Sequence, residues 1–115
     1  AKAYVADTFT TSPPVAAAAV VADAISSMRQ DAYLASTRIC FGVRLARLLP
    51  HITAPTLVLW GERDQKTPRE LSERIATAIP SARLETIPAA GHLSNAENPA
   101  AFTAALRHFL STVRS

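Results

Sequence analysis

The chain has 115 residues and a net charge of +3, and 49% of its residues are hydrophobic while 18% are charged. These proportions are typical of a folded globular protein and exclude intrinsic disorder. No apolar run approaches the roughly 20 residues that a membrane-spanning helix needs. The start of the sequence has neither a secretory signal pattern nor an initiator Met. We therefore expect a cytoplasmic protein, with no membrane partner, whose chain begins inside a longer gene product.

The basic residues are scattered along the sequence and are not interleaved with aromatic residues. This distribution gives little support to nucleic-acid binding, and we expect no nucleic-acid partner. The single cysteine, Cys40, excludes an internal disulfide and offers no zinc-ligand spacing. Its apolar neighbours Ile39 and Phe41 predict that its side chain is buried.

The first half of the sequence predicts helices. Ser12 precedes two prolines, a pattern typical of the capped first turn of a helix, and apolar residues then recur at helical spacing. A second helix is expected over residues 31–41. A third is expected over residues 44–49, where Pro50 would stop it.

The second half predicts elements in the order β-α-β-α. Residues 56–60 form a continuous apolar run, which fits a strand covered on both faces of a parallel sheet. Thr67 and the proline after it predict the cap and first turn of a helix that Pro80 ends. Residues 83–87 alternate as a half-covered strand, and Asn98 begins the last helix. The connections are long enough for a parallel crossover, so the predicted fold class is α/β.

Two parallel strands are too few for a stable sheet, because their edges and apolar faces stay uncovered. We therefore expect a further polypeptide to complete the sheet. The exposed strand edge predicts either pairing with an N-terminal half that lies outside these 115 residues or self-association.

The loops that follow the two predicted strands carry residues suited to acid–base chemistry. Ligands and catalytic groups gather at the carboxyl ends of parallel strands, where residues 61–67 and 89–95 would lie. Asp64 could orient a histidine, and His92 could take a proton from a nucleophile and return it to a leaving group. On a purely structural interpretation, Asp64 is a turn carboxylate and His92 a surface histidine.

Four other polar residues have structural interpretations. His51 precedes a strand on the opposite side of the predicted sheet, and His108 lies off the apolar stripe of the last helix. Glu62 and Arg63 are adjacent opposite charges, as in a solvated turn. We therefore expect none of the four to take part in chemistry.

No nucleophile is evident in the sequence. The Gly-x-Ser-x-Gly elbow of a serine hydrolase needs small residues on both sides of a strained strand-to-helix turn. Glycine occurs only at positions 42, 61 and 91, and none of the three flanks a serine, cysteine or aspartate in that pattern. Ser94 lies close to His92 in the sequence but has no elbow around it.

Three segments of the second half resemble α/β-hydrolases. Residues 52–64 (ITAPTLVLWGERD) resemble the penultimate-strand segment of this superfamily. Residues 87–94 (IPAAGHLS) resemble the end of its last strand and its histidine loop, and residues 95–102 (NAENPAAF) match the usual continuation into the final helix. Within the superfamily, the histidine loop is most similar to that of the 3-oxoadipate enol-lactonase group.

The resemblance implies that the chain is the C-terminal half of an α/β-hydrolase fold and that it contains two parts. Residues 1–50 would form a helical cap or lid together with the helix that returns from it. Residues 51–115 would form the C-terminal β-α-β-α part of the core, which completes a mostly parallel sheet.

By the same resemblance, the protein is expected to hydrolyse a small ester or lactone. Asp64 would take the acid position of a catalytic triad and His92 the base position, while the nucleophile would come from outside this sequence. Trp60, at the end of the first predicted strand, would pack under the floor of the active site or contact the substrate. Leu93 would contact the substrate, and no metal or organic cofactor is implied. The chain alone is expected to be inactive.

Two other functions stay open at this point. The Leu-Trp-Gly-Glu-Arg-Asp stretch at residues 59–64 also occurs in epoxide hydrolases and haloalkane dehalogenases, which use an Asp nucleophile. A non-catalytic binding module could retain the same fold without any nucleophile. The residue in the elbow would separate these alternatives.

Overall fold

The structure, a computed structural model, describes residues 2–9 and 15–113. The helix start predicted at Ser12 lies outside these residues. The described elements are, in chain order, helices α1 (Lys2–Thr8), α2 (Val15–Ser27) and α3 (Gln30–Gly42), a 3₁₀ helix (Ala46–His51), strand β1 (Thr56–Gly61), helix α4 (Arg69–Ala78), strand β2 (Ala82–Ile87), and helices α5 (Ser94–Glu97) and α6 (Pro99–Val113).

The two strands pair in parallel, as the sequence predicts. Their register runs from Thr56 opposite Ala82 to Gly61 opposite Ile87. Helix α4 connects the strands and packs against both of them, which is the arrangement that a parallel crossover requires. The carboxyl ends of both strands therefore lie at one edge of the sheet, where the two loops with candidate residues begin.

The core around this sheet is small. Four hydrophobic residues are buried within the described ranges, namely Phe9, Ile79, Ile87 and Ala90. The apolar residues of β1 at positions 57–60 are only half-buried, which differs from the predicted strand covered on both faces. The reason is that two strands and the packed helices cannot enclose both faces of a sheet.

The accessible surface is large for a chain of this mass. It amounts to 8194 Å², whereas a compact monomer of 12.3 kDa exposes about 6,100 Å². Helix α6 contributes to this excess, because the Leu106, Leu110 and Val113 side chains on its predicted apolar stripe are all exposed. The described residues therefore expose apolar side chains that a further polypeptide could cover.

Three local predictions were wrong. The third helix is a 3₁₀ helix with Pro50 inside its last turn, where the missing N–H removes one hydrogen bond of a helix that ends one residue later. Cys40 is exposed and not buried, since α3 has no buried position among its described residues. Thr67 does not cap the following helix. Helix α4 begins at Arg69, so Pro68 and not Thr67 occupies the cap position, and within the described residues no side-chain cap hydrogen bond is formed there.

The last predicted helix start is confirmed. The Asn98 side-chain Oδ1 accepts the N–H of Ala101 at 3.2 Å, which is the contact of an N-cap residue. Helices α1 and α5 were not predicted, because no cap residue precedes α1 and because α5 is only a single turn long. Within the described part of the chain, no helix is both long enough and apolar enough to cross a membrane.

Gly61 is the last residue of strand β1, at the point where the loops that carry Asp64 and His92 approach each other. A Cβ atom on Gly61 would lie 2.1 Å from the backbone oxygen of Gly91 and 2.6 Å from that of Ala90. Both distances are well below van der Waals contact, and both neighbours are backbone atoms that cannot swing away. Only glycine therefore fits this position without displacing the second loop.

We predict that Gly61→Ala lowers the free energy of unfolding by about 2 kcal/mol, because the new methyl group overpacks two backbone carbonyls. Gly42→Ala is the matched control, since a Cβ on Gly42 meets nothing within 4 Å. The control is expected to stabilise the chain by about 0.5 kcal/mol, because alanine loses less backbone entropy in a helix. Urea unfolding of both variants measures this, and equal effects would contradict the close approach.

Candidate active site

The two loops are held together by backbone hydrogen bonds beyond the end of the sheet. The N–H of Glu62 donates to the carbonyl of Ile87 at 3.0 Å, and the N–H of Arg63 donates to the carbonyl of Ala90 at 2.8 Å. These bonds continue the β1–β2 pairing by two residues. The loop with Asp64 and the loop with His92 are therefore fixed relative to each other by main-chain atoms.

Asp64 and His92 form a direct hydrogen bond across these loops. The His92 Nδ1 atom lies 3.0 Å from the Asp64 Oδ2 atom. An ionised carboxylate can only accept, so Nδ1 carries the proton and Nε2 is left as the free ring nitrogen. The Asp64 side chain is 5% exposed and that of His92 is 33% exposed, so the acid is buried while the imidazole is accessible. The structure thus brings together the two residues predicted from the sequence.

Three further donors hold the Asp64 carboxylate. The N–H groups of Lys66 and Thr67 donate to Oδ1 at 2.8 Å and 3.1 Å, and the Thr67 hydroxyl donates to Oδ2. Burial raises the pKa of Asp64, but the hydrogen bonds from Thr67, His92 and Lys66 outweigh it and hold the pKa below its ordinary value. The carboxylate is therefore kept ionised and fixed in orientation.

Glu62 supports the histidine loop. Its Oε2 atom accepts the N–H of Ala89 at 2.8 Å, and Ala89 has a φ of 53°, the left-handed conformation that costs a residue with a side chain about 1–2 kcal/mol. The loop thus turns at Ala89. Glu62 was expected to be a solvated turn residue, and its charge gave no signal of this contact.

A cavity of about 410 Å³ lies beside the acid–histidine pair. Helix α1 covers one side of it, and the Lys66 ammonium donates to the Thr8 hydroxyl at 3.0 Å across it. The cavity is large enough for a small organic molecule. Its lining residues are Ala6, Thr8, Phe9, Asp64, Gln65, Lys66 and His92.

The two predicted substrate contacts lie elsewhere. Trp60 is not among the described residues that line the 410 Å³ cavity, and its indole Nε1–H donates to the Thr67 carbonyl at 2.9 Å. Leu93 lines a second cavity of about 370 Å³ together with residues of α2, including Val20 and Val21. Direct contact of Trp60 or Leu93 with a substrate stays a prediction.

The remaining histidines are separate from the pair. His51 ends the 3₁₀ helix and His108 lies on α6, and both are exposed. Among the residues that the structure describes, no group of three or more His, Cys, Asp or Glu side chains could hold a metal ion. With Nδ1–H bound to Asp64, the His92 ring can accept and return a proton at Nε2.

The chain belongs to the alpha/beta hydrolase family, whose profile matches residues 2–106. The fold class and the family resemblance seen in the second half are thereby confirmed. A 2-hydroxy-6-oxononadienedioate/2-hydroxy-6-oxononatrienedioate hydrolase from a Pseudomonas species is 33% identical over 66 residues, which cover 57% of this chain and 23% of that protein. The chain spans about a quarter of the length of the curated relatives it matches.

Solved structures give the same result. A thermophilic esterase from Thermogutta terrifontis superposes with a TM-score of 0.60 and 41% identity, covering 62% of this chain and 26% of the esterase. A bacterial membrane phospholipase A superposes with a TM-score of 0.79 over 99% of this chain and 38% of its own. At 24% identity, the phospholipase match shows the fold alone, but it includes the helical first half.

We predict that Asp64 makes stability depend on acid pH. Its folded pKa is lowered, so the stability it contributes is present above the ordinary value of 3.8 and is lost as the pH falls through the folded pKa. The free energy of unfolding of the parent chain should therefore exceed that of Asp64→Asn more at about pH 5 than at about pH 2. Urea titrations of both proteins measure the two differences, and a difference that grows toward acid pH would contradict the assignment.

Proposed function

We propose that this chain supplies the acid and the histidine of a serine-type hydrolase that acts on a small ester or lactone, as in the 3-oxoadipate enol-lactonase group. The observation that carries the proposal is the 3.0 Å contact between His92 Nδ1 and Asp64 Oδ2. Membership of the alpha/beta hydrolase family and relatives named as an esterase and as a dienedioate hydrolase support the reaction class.

In this mechanism, His92 moves the proton. Since Nδ1–H is bound to Asp64, the Nε2 lone pair can accept the proton of an attacking hydroxyl and later return it to the leaving alkoxide. The imidazolium that forms in between is stabilised by the ionised Asp64 carboxylate. The four hydrogen bonds to that carboxylate keep it from turning away during the proton transfer.

The nucleophile and the oxyanion N–H groups are proposed to come from outside these residues, because the sequence contains no Gly-x-Ser-x-Gly elbow. A serine is favoured over an aspartate by the esterase among the similar structures. We propose that residues 1–50 act as a cap over the site. The cavity that Leu93 shares with α2 supports this, since it joins the histidine loop to the first half of the chain.

We also propose that the open sheet packs against another polypeptide, either the part of the enzyme that carries the nucleophile or a second copy. The half-buried strand β1 and the exposed stripe of α6 are the surfaces it would cover.

The 115-residue chain on its own is therefore expected to sediment as dimers or larger species, with the fraction of these species rising with concentration. Burial of the open apolar surface drives this association. Sedimentation velocity over a concentration series measures it. A compact monomer at every concentration would show that the surface needs no partner.

We predict that His92→Ala abolishes most of the activity of a chimera in which residues of this chain replace the matching segment of the Thermogutta terrifontis esterase. The parent chimera is expected to hydrolyse p-nitrophenyl acetate. The variant should lower kcat/KM about 10³-fold or more, because the general base is lost.

His108→Ala is the matched control, since His108 is exposed on α6 and the substitution should leave kcat/KM unchanged. A His92→Ala chimera as active as its parent would refute the proposed function and would favour a non-catalytic binding module.

A further inference from the structure

The Asp64 carboxylate is held in large part by one neighbouring residue, Thr67. Thr67 lies one residue before Pro68, which is the cap position of α4, so the Thr67 hydroxyl is not at the helix cap. The hydroxyl donates to Asp64 Oδ2.

Thr67 makes two of the four hydrogen bonds to this carboxylate. Its N–H donates to Oδ1 and its hydroxyl donates to Oδ2, the same oxygen that accepts from His92. A carboxylate held through both oxygens cannot rotate about its Cβ–Cγ bond without breaking these contacts. The direction of Oδ2 toward the imidazole is thus set by Thr67.

Thr67 is held in turn by Trp60. The Trp60 Nε1–H donates to the Thr67 carbonyl at 2.9 Å, and Trp60 itself is anchored in strand β1 next to Gly61. The Arg69 guanidinium lies 5.7 Å from the centre of the indole ring, on the side of helix α4. The Thr67 end of the loop that carries Asp64 is therefore tied to strand β1 by the indole hydrogen bond, in addition to the backbone hydrogen bonds of Glu62 and Arg63.

We propose that Thr67 is a positioning residue that orients the Asp64 carboxylate toward His92, and that Trp60, in strand β1, holds Thr67 in place through its indole hydrogen bond. The effect of Thr67 on catalysis rests on the proposed function, whereas its effect on the geometry of Asp64 and His92 does not. Trp60 then acts on the site through Thr67, and a direct contact with substrate is not needed to explain its place at the end of β1.

Nuclear magnetic resonance of the 115-residue chain tests the geometry without any assay. In Thr67→Val, which keeps the shape and removes the hydroxyl, the pKa of Asp64 should rise, because a donor that favours the ionised carboxylate is lost. The ¹⁵N shifts of the neutral His92 ring should show a smaller share of the Nδ1–H tautomer. Thr67→Ser retains the hydroxyl and should restore both values.

Two further variants keep the test decisive. Thr37→Val is the matched control, because the Thr37 hydroxyl donates to the Tyr33 carbonyl on α3, and both readings should stay at their parent values. Trp60→Phe removes the indole donor together with part of the ring, and should change both in the same direction as Thr67→Val, but less. If Thr67→Val does not fold, Trp60→Phe and Thr67→Ser decide. Unchanged Asp64 titration and His92 tautomer in the folded Thr67→Val or Trp60→Phe chain would overturn the proposal.

Kinetics of the esterase chimera separates this proposal from the proposed function. There Thr67→Val should lower kcat about tenfold to 100-fold with KM nearly unchanged, because a misaimed base slows proton transfer without affecting binding. If His92→Ala leaves the chimera active while Thr67→Val still alters Asp64 and His92 in the chain, the hydrolase function fails and the positioning role stands. If His92→Ala is inactive but Thr67→Val matches its parent in kcat, the catalytic role of Thr67 is refuted.

Discussion

The parallel pairing of β1 with β2 is the constraint on which the whole site depends. It brings the carboxyl ends of two strands to one edge, and the lack of a side chain at Gly61 lets the two following loops approach to main-chain contact. Two backbone hydrogen bonds beyond the strands then fix the loops. Asp64 and His92, 28 residues apart in sequence, meet because their backbones are already held together.

Around this contact, polar side chains of the loop after β1 fix the orientation of the pair and of the histidine loop. The Thr67 hydroxyl donates to the Asp64 carboxylate, and the exposed Glu62 carboxylate accepts the N–H of the left-handed Ala89. The left-handed conformation costs a residue with a side chain about 1–2 kcal/mol. Backbone strain of this kind clusters at functional sites, which agrees with the place of Ala89 three residues before His92.

The apolar surface of the described residues is more open than the sequence patterns of its elements predict. A two-stranded sheet leaves the residues of β1 half-buried and the stripe of α6 exposed, although their sequence patterns are those of a covered core. The hydrophobic patterns of β1 and α6 are therefore typical of elements in a larger sheet than the two-stranded one they form here. This is consistent with a chain that matches about a quarter of the length of its curated relatives.

By itself, the sequence determined the order of elements in the second half, the parallel crossover, the cap at Asn98 and the two residues Asp64 and His92, because periodicity, turn residues and short motifs are local signals. Only the tertiary structure decided which donors hold the acid. The roles of Thr67, Glu62 and Trp60 depend on where a hydroxyl, a carboxylate and an indole N–H point once the loops have met. Sequence spacing does not encode these directions, since a threonine followed by a proline fits the sequence pattern of a helix cap wherever its hydroxyl points.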